Sequence, residues 1–127
     1  MQTFNGENIE TLILKDVNFV NKKNFEEFLN KLDSCHKLTN FGISHLDPEY
    51  ETMLPILSQK LSANNQFSLK VIDISKNKIS KEILLKFLIN LKGFVQLERL
   101  DLTTLKNIHE FTVDDIIELM KAFEDPS

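Results

Sequence analysis

The chain has 127 residues, 42% of them hydrophobic and 27% charged, with a formal net charge of −4. That is the size and make-up of one soluble globular domain, and it speaks against collagenous, disordered and membrane-spanning classes. With Arg99 as its only arginine, the weakly acidic chain offers no basic footprint for nucleic acid or a membrane surface, and little for phosphate.

The first apolar segment is Ile9-Glu10-Thr11-Leu12-Ile13-Leu14, short enough for a strand. It is followed by Phe25, Phe28, Leu29 and Leu32, a stripe at i, i+3, i+4 and i+7 that predicts an amphipathic helix. The second segment, Leu38-Thr39-Asn40-Phe41-Gly42-Ile43, leads to a helical stripe of Met53, Leu54, Leu57 and Leu61. Asp47-Pro48 suits a helix cap followed by proline in the first turn. Pro55 conflicts with a long second helix, which must start near Thr52 or kink there.

The third segment is the clearest. Leu69-Lys70-Val71-Ile72-Asp73-Ile74-Ser75-Lys76-Asn77-Lys78-Ile79 fits L-x-x-L-x-L-x-x-N-x-L at every fixed position, with Ile standing for Leu. Ser80 can cap the helix that follows, whose apolar stripe is Ile83, Leu84, Phe87, Leu88 and Leu91. The fourth segment, Leu97-Glu98-Arg99-Leu100-Asp101-Leu102, precedes Thr112, Asp114 and Asp115, which suit a helix start. Val113, Ile116, Ile117, Met120 and Phe123 then form the last stripe, expected to be core.

These units begin at 9, 38, 69 and 97, spaced 29, 31 and 28 residues apart. A strand this short cannot stand alone, and each helix must bury one face. Stacking the units into a parallel sheet closes a continuous core. The slot held by Asn77 is expected to pair backbone groups at the turn. Val17, Leu46 and Leu105 occupy it in the other units, so the array is divergent.

The segments 69–79 and 97–102, with a full helix between them, resemble the ribonuclease-inhibitor class of leucine-rich repeat. The resemblance runs from about residue 9 to 124 and implies an α/β leucine-rich-repeat solenoid, sheet concave and helices convex, forming a single domain over 1–127. Families of this class include ribonuclease inhibitors, NOD-like immune receptors, tropomodulin-type actin regulators, Ran GTPase-activating proteins and secreted bacterial effectors. Most carry more than four repeats, so the chain can also be read as a fragment of a longer protein.

In such an array the residues flanking the core leucines point to the concave face, because strand side chains alternate. Three columns result: Thr11, Asn40, Val71, Arg99; then Ile13, Gly42, Asp73, Asp101; then Lys15, Ser44, Ser75, Thr103. Strands lie about 4.8 Å apart, so Asp73 and Asp101 should be neighbours, with Arg99 near Asp101. The candidate partner-binding residues are therefore Ile13, Lys15, Asn40, Val71, Asp73, Ser75, Arg99, Asp101 and Thr103. A small acidic spot bordered by Ile13 and Val71 would suit a cationic group on another protein. The plainer alternative is a solvated strand face. A flat face lacks the water-excluding pocket that acid–base use of the two carboxylates would need.

No metal, cofactor or catalytic residue is expected. His36, His45 and His109 share no ligand spacing. Cys35, at the return from helix to strand, reads as a small buried residue. Phosphate-loop, nucleophile-elbow, dinucleotide-binding and zinc-protease motifs are absent from the sequence. Phe19, Phe67, Phe94 and Phe111 fall between elements and would plug the gaps between repeats or anchor a partner. Lys22, Lys23, Lys76, Lys78 and Lys81 scatter near the strand-to-helix loops.

The expected function is that of a non-enzymatic protein–protein interaction module, with its partner on the concave sheet or on those loops. The alternative is a C-terminal ligand-sensing or autoinhibitory segment of a larger receptor of the NOD-like type, in innate immune signalling. Another protein is the expected partner, with no nucleic acid and no membrane. Self-association through open solenoid ends is a further expectation, since terminal repeats need polar caps. Met1–Gly6 shows neither the basic nor the apolar region of a secretory signal. One cysteine permits no intrachain disulfide, and the expected location is cytoplasmic.

Overall fold

The computed structural model describes residues 6–16, 19–94, 96–103 and 105–121. Strand and helix alternate four times. The strands are β1 (Thr11–Lys15), β2 (Asn40–Ser44), β3 (Val71–Asp73) and β4 (Arg99–Asp101). The helices are α1 (Lys22–Lys31), α2 (Leu54–Asn65), α3 (Lys81–Ile89) and α4 (Val113–Lys121). The strands form one parallel sheet in the order β1-β2-β3-β4. Thr11, Asn40, Val71 and Arg99 stand in register, as do Ile13, Gly42, Asp73 and Asp101.

Each junction between strands begins with the same forked bond. The carbonyl of Glu10 accepts the N–H groups of Thr39 and Asn40, that of Thr39 those of Lys70 and Val71, and that of Lys70 those of Glu98 and Arg99. The recurrence fixes the register and starts every strand at the same point of its unit.

One sheet face is packed and the other is open. Phe41, Ile43, Ile72 and Ile74 are buried against the helices. Leu38 and Leu69 just before their strands, Phe25 and Leu29 of α1, Leu57 and Leu61 of α2, and Phe87 and Leu88 of α3 complete that core. A parallel sheet is usually covered on both sides, so an open face is a departure that the repeat pattern accounts for.

Local signals place the helices. Asn21 caps α1 by accepting the Asn24 N–H at 2.8 Å, and Asn24 accepts the Val20 N–H in return. Asp47 caps a 3-10 segment, Pro48–Met53, rather than an α-helix, accepting the Glu49 N–H at 2.9 Å. The α-helix begins only at Leu54, which puts Pro55 in its first turn, where no N–H is needed. Ser80 caps α3 through the Ile83 N–H. Thr112 and Asp115 cap α4 reciprocally, each side chain accepting the other's backbone N–H.

Two expectations need correction. The asparagine slot is not confined to the third unit. Asn77 is buried, donates Nδ2 to the carbonyls of Ile43 (2.8 Å) and Ile74 (2.9 Å), and accepts the Leu46 N–H at 2.8 Å. Asn107, two residues past the expected slot, does the same work between units three and four. It accepts the Ile79 N–H at 3.0 Å and donates to the Ile79 carbonyl at 2.7 Å. The second correction concerns the last helix. Its described apolar positions, Val113, Ile116, Ile117 and Met120, are 76, 39, 46 and 65% exposed, so they are not core. Phe123 and Val17 lie outside the described residues.

Candidate protein-binding face

The open face is built by the alternation of the strands. In β1 the side chains of Thr11, Ile13 and Lys15 project outward while Leu12 and Leu14 turn toward the core. Ile13, 44% exposed, is the largest apolar side chain on this face. Gly42 lies beside it in β2. A Cβ placed there would come within 3.2 Å of the Ile13 Cδ1 and 3.4 Å of the Asp73 Cβ. The glycine thus leaves a notch into which Ile13 leans from one side and Asp73 from the other.

Around the notch runs a shallow depression of about 280 Å³, lined by Thr11, Ile13, Asn40, Phe41, Val71, Asp73, Arg99 and Asp101. All four strands contribute to it. Val71 and Asn40 are half-buried and Arg99 is exposed. The expected columns are therefore brought together, but three details differ from a plain acidic spot. Arg99 reaches back to Asp101 at 3.2 Å and offsets its charge. Asp101 also accepts both the hydroxyl (2.6 Å) and the N–H (2.9 Å) of Thr103, which hold its carboxyl below the ordinary value, with Arg99 adding to the effect. Asp73 makes the same turn, accepting the Ser75 N–H at 2.9 Å.

The third column is only partly displayed. Lys15 and Ser44 stand in register and Lys15 is exposed. Thr103 is exposed, whereas Ser75 is largely buried, lining a narrow depression with Ile13, Lys15, Gly42 and Asp73. Ser75 keeps its place beside Lys15 and Ser44 but shows little surface, its N–H held by Asp73 and its carbonyl by Asn77.

A second depression, about 350 Å³, lies at the strand-to-helix loops between Asp16, Phe19, His45, Asp47, Tyr50 and Lys106. Here the backbone is unusual. Asp16, His45 and Lys76 all take positive φ, 55°, 55° and 63°. They hold the same place in successive units, directly after β1 and β2 and three residues beyond β3. Asp and His are among the side chains that tolerate this region, so two of the three carried a sequence signal; Lys76 carried none. His45 Nε2 sits 3.8 Å from Asp16 Oδ1. Phe19 packs edge-on against Phe25 at 4.7 Å, and Tyr50 stacks on Phe25 at 5.4 Å. Phe19 thus plugs the gap between the first two units. Phe94 and Phe111 also pack against the core, while Phe67 is exposed.

Other candidate groups stand apart. Cys35 is buried, and that burial pushes its thiol above the usual range. Among the described residues no group of three or more His, Cys, Asp or Glu could hold a metal ion. Among them, too, no helix is long and apolar enough to cross a membrane.

One solved structure shares the architecture. The chain is similar to the tropomodulin C-terminal domain from Caenorhabditis elegans, with a TM-score of 0.58 at 10% sequence identity. The match covers 92% of this chain and 83% of that one. At such identity the likeness is one of fold: an α/β domain with a parallel sheet and flanking helices. No protein-family model matches the chain, and no curated protein matches it.

Proposed function

We propose that this chain is a leucine-rich-repeat array that acts as a protein-interaction module, with its partner held against the concave sheet face. The observation that carries this reading is the open face itself. Four parallel strands leave one side uncovered, and on that side Ile13, Val71 and the Gly42 notch form an apolar centre flanked by Asp73, Arg99 and Asp101. Apolar contact ringed by charge is the make-up of a protein interface. The module works without catalysis. Its carboxylates are committed to turns, and its depression is too shallow to exclude water. Cytoplasmic action fits a single buried cysteine.

The occupant that fits is a polypeptide segment with an apolar side chain for the notch and a basic group near Asp73. Arg99 neutralises Asp101 but leaves Asp73 without an ion pair among the described residues. The test is a pull-down from the source organism with the native chain and with Ile13→Asp/Arg99→Glu. These side chains project outward, so the fold should survive, as circular dichroism would verify. Loss of a specific partner with the double variant supports the reading. Equal capture by both proteins moves the surface off the sheet.

A further inference from the structure

The fourth unit carries an apolar surface that no other described residue covers. Helix α4 is held to α3 through Lys81, which lies 3.0 Å from Asp115 and 3.4 Å from Glu118. At about 100° per residue, Asp115 and Glu118 share one face of the helix, and Val113, Ile116, Ile117 and Met120 share the opposite one. The apolar stripe therefore points away from α3, along the direction in which a further unit would stack. All four residues are exposed.

The other end of the array does not complement it. Glu26, Leu29 and Asn30 of α1 line a groove shared with α2, so the outward side of α1 carries the exposed Asn24, Glu27 and Lys31, with Phe28 half-buried among them against Phe19 and Phe25. Stacking the last unit of one copy on the first unit of the next would press the apolar stripe against Glu27 and Lys31. The stripe complements itself instead. Asp114 and Lys121 lie seven residues apart on the same flank, and neither is in an ion pair among the described residues. When two such helices pack antiparallel about a two-fold axis, the flank of each meets the same flank of the other. Asp114 of one copy then faces Lys121 of its mate, twice.

We propose that α4 is a homodimer contact, in which a second copy of this chain packs tail to tail through Val113, Ile116, Ile117 and Met120, with reciprocal Asp114–Lys121 pairs. A two-fold contact of this kind closes on itself and stops at two copies, whereas head-to-tail stacking would continue into a filament. One helix pair covers less than the roughly 800 Å² per partner of a standard interface, so the dimer is weak. This inference is independent of what the sheet face binds.

Sedimentation equilibrium of the purified chain between about 5 and 500 μM tests it, with folding of each variant verified by circular dichroism. The native chain should pass from monomer to dimer and no further. Ile117→Glu should weaken the dimer at least tenfold, because it sets a charge in the middle of the contact. Asp114→Lys and Lys121→Asp should each weaken it about fivefold at low salt, and the double swap should restore it. That rescue belongs to the antiparallel pairing alone and does not depend on the apolar variant. A monomer at every concentration overturns the proposal, as when a further segment of polypeptide covers the stripe. Growth beyond a dimer, or a dimer indifferent to all four variants, also overturns it.

Discussion

Removing the Asn77 side chain should cost far more than its size implies. In Asn77→Ala the Leu46 N–H and the carbonyls of Ile43 and Ile74 lose their partner inside the core. An unsatisfied buried backbone group costs about 1–3 kcal/mol, so three together, with partial relaxation and entry of water, come to about 3–5 kcal/mol. A domain of this size has about 5–15 kcal/mol in total. The melting temperature should therefore fall by roughly 10–20 °C. Urea unfolding followed by circular dichroism measures it, with Asn107→Ala as a companion. Among the described residues Asn107 bonds one residue of the neighbouring unit, Ile79, and its loss should cost less, about 2–3 kcal/mol. A loss below about 1 kcal/mol for Asn77→Ala would refute the view that this amide ties the second unit to the third.

Acid should loosen the last helix. The Asp115 carboxyl lies below its ordinary 3.8, held there first by the Thr112 N–H and then by Lys81. Its contribution is therefore present above about pH 3.8 and lost as pH falls through the lower folded value. Lys81 is raised by the same contact, so its share is complete below its ordinary 10.5 and disappears only as pH rises past that. Amide protection across 113–121, taken relative to the intrinsic exchange rate at each pH, should be greatest between those limits, and Asp115→Asn should remove the acid limb.

Gly42→Ala should cost under about 1 kcal/mol, since the near atom is the flexible end of Ile13, while Gly42→Leu should fill the depression and abolish partner binding in the pull-down. Lys76→Gly should raise stability by up to about 1 kcal/mol by relieving a positive φ, and Lys76→Val should lower it by about 1–2 kcal/mol. Thermal denaturation separates the two.

The repeat starts at 9, 38, 69 and 97 were enough to set which residues align across the sheet, because each unit enters its strand through the same forked backbone bond. The open-face columns follow from that register. What spacing does not convey is where the chain bends after a strand. Ser75 alternates outward, yet with its N–H bonded to Asp73 and its carbonyl to Asn77 it sits largely buried in a narrow depression. Asn107 escaped the pattern because the fourth unit has two extra residues before its amide. The α4 stripe has the same periodicity as the stripes of α1, α2 and α3. Periodicity says that a helix has an apolar side; only the Lys81 contacts to Asp115 and Glu118 reveal that this side faces outward.

The direct test of the account is site-specific photocrosslinking in extracts of the source organism. A photoreactive side chain at Val71, in the centre of the open face, should capture a discrete partner, while one at Lys86, exposed on α3, should not. Capture from Val71 that is lost on adding Ile13→Asp would place the partner on the sheet. Capture from Lys86 with none from Val71 would contradict the account and move binding to the helical side.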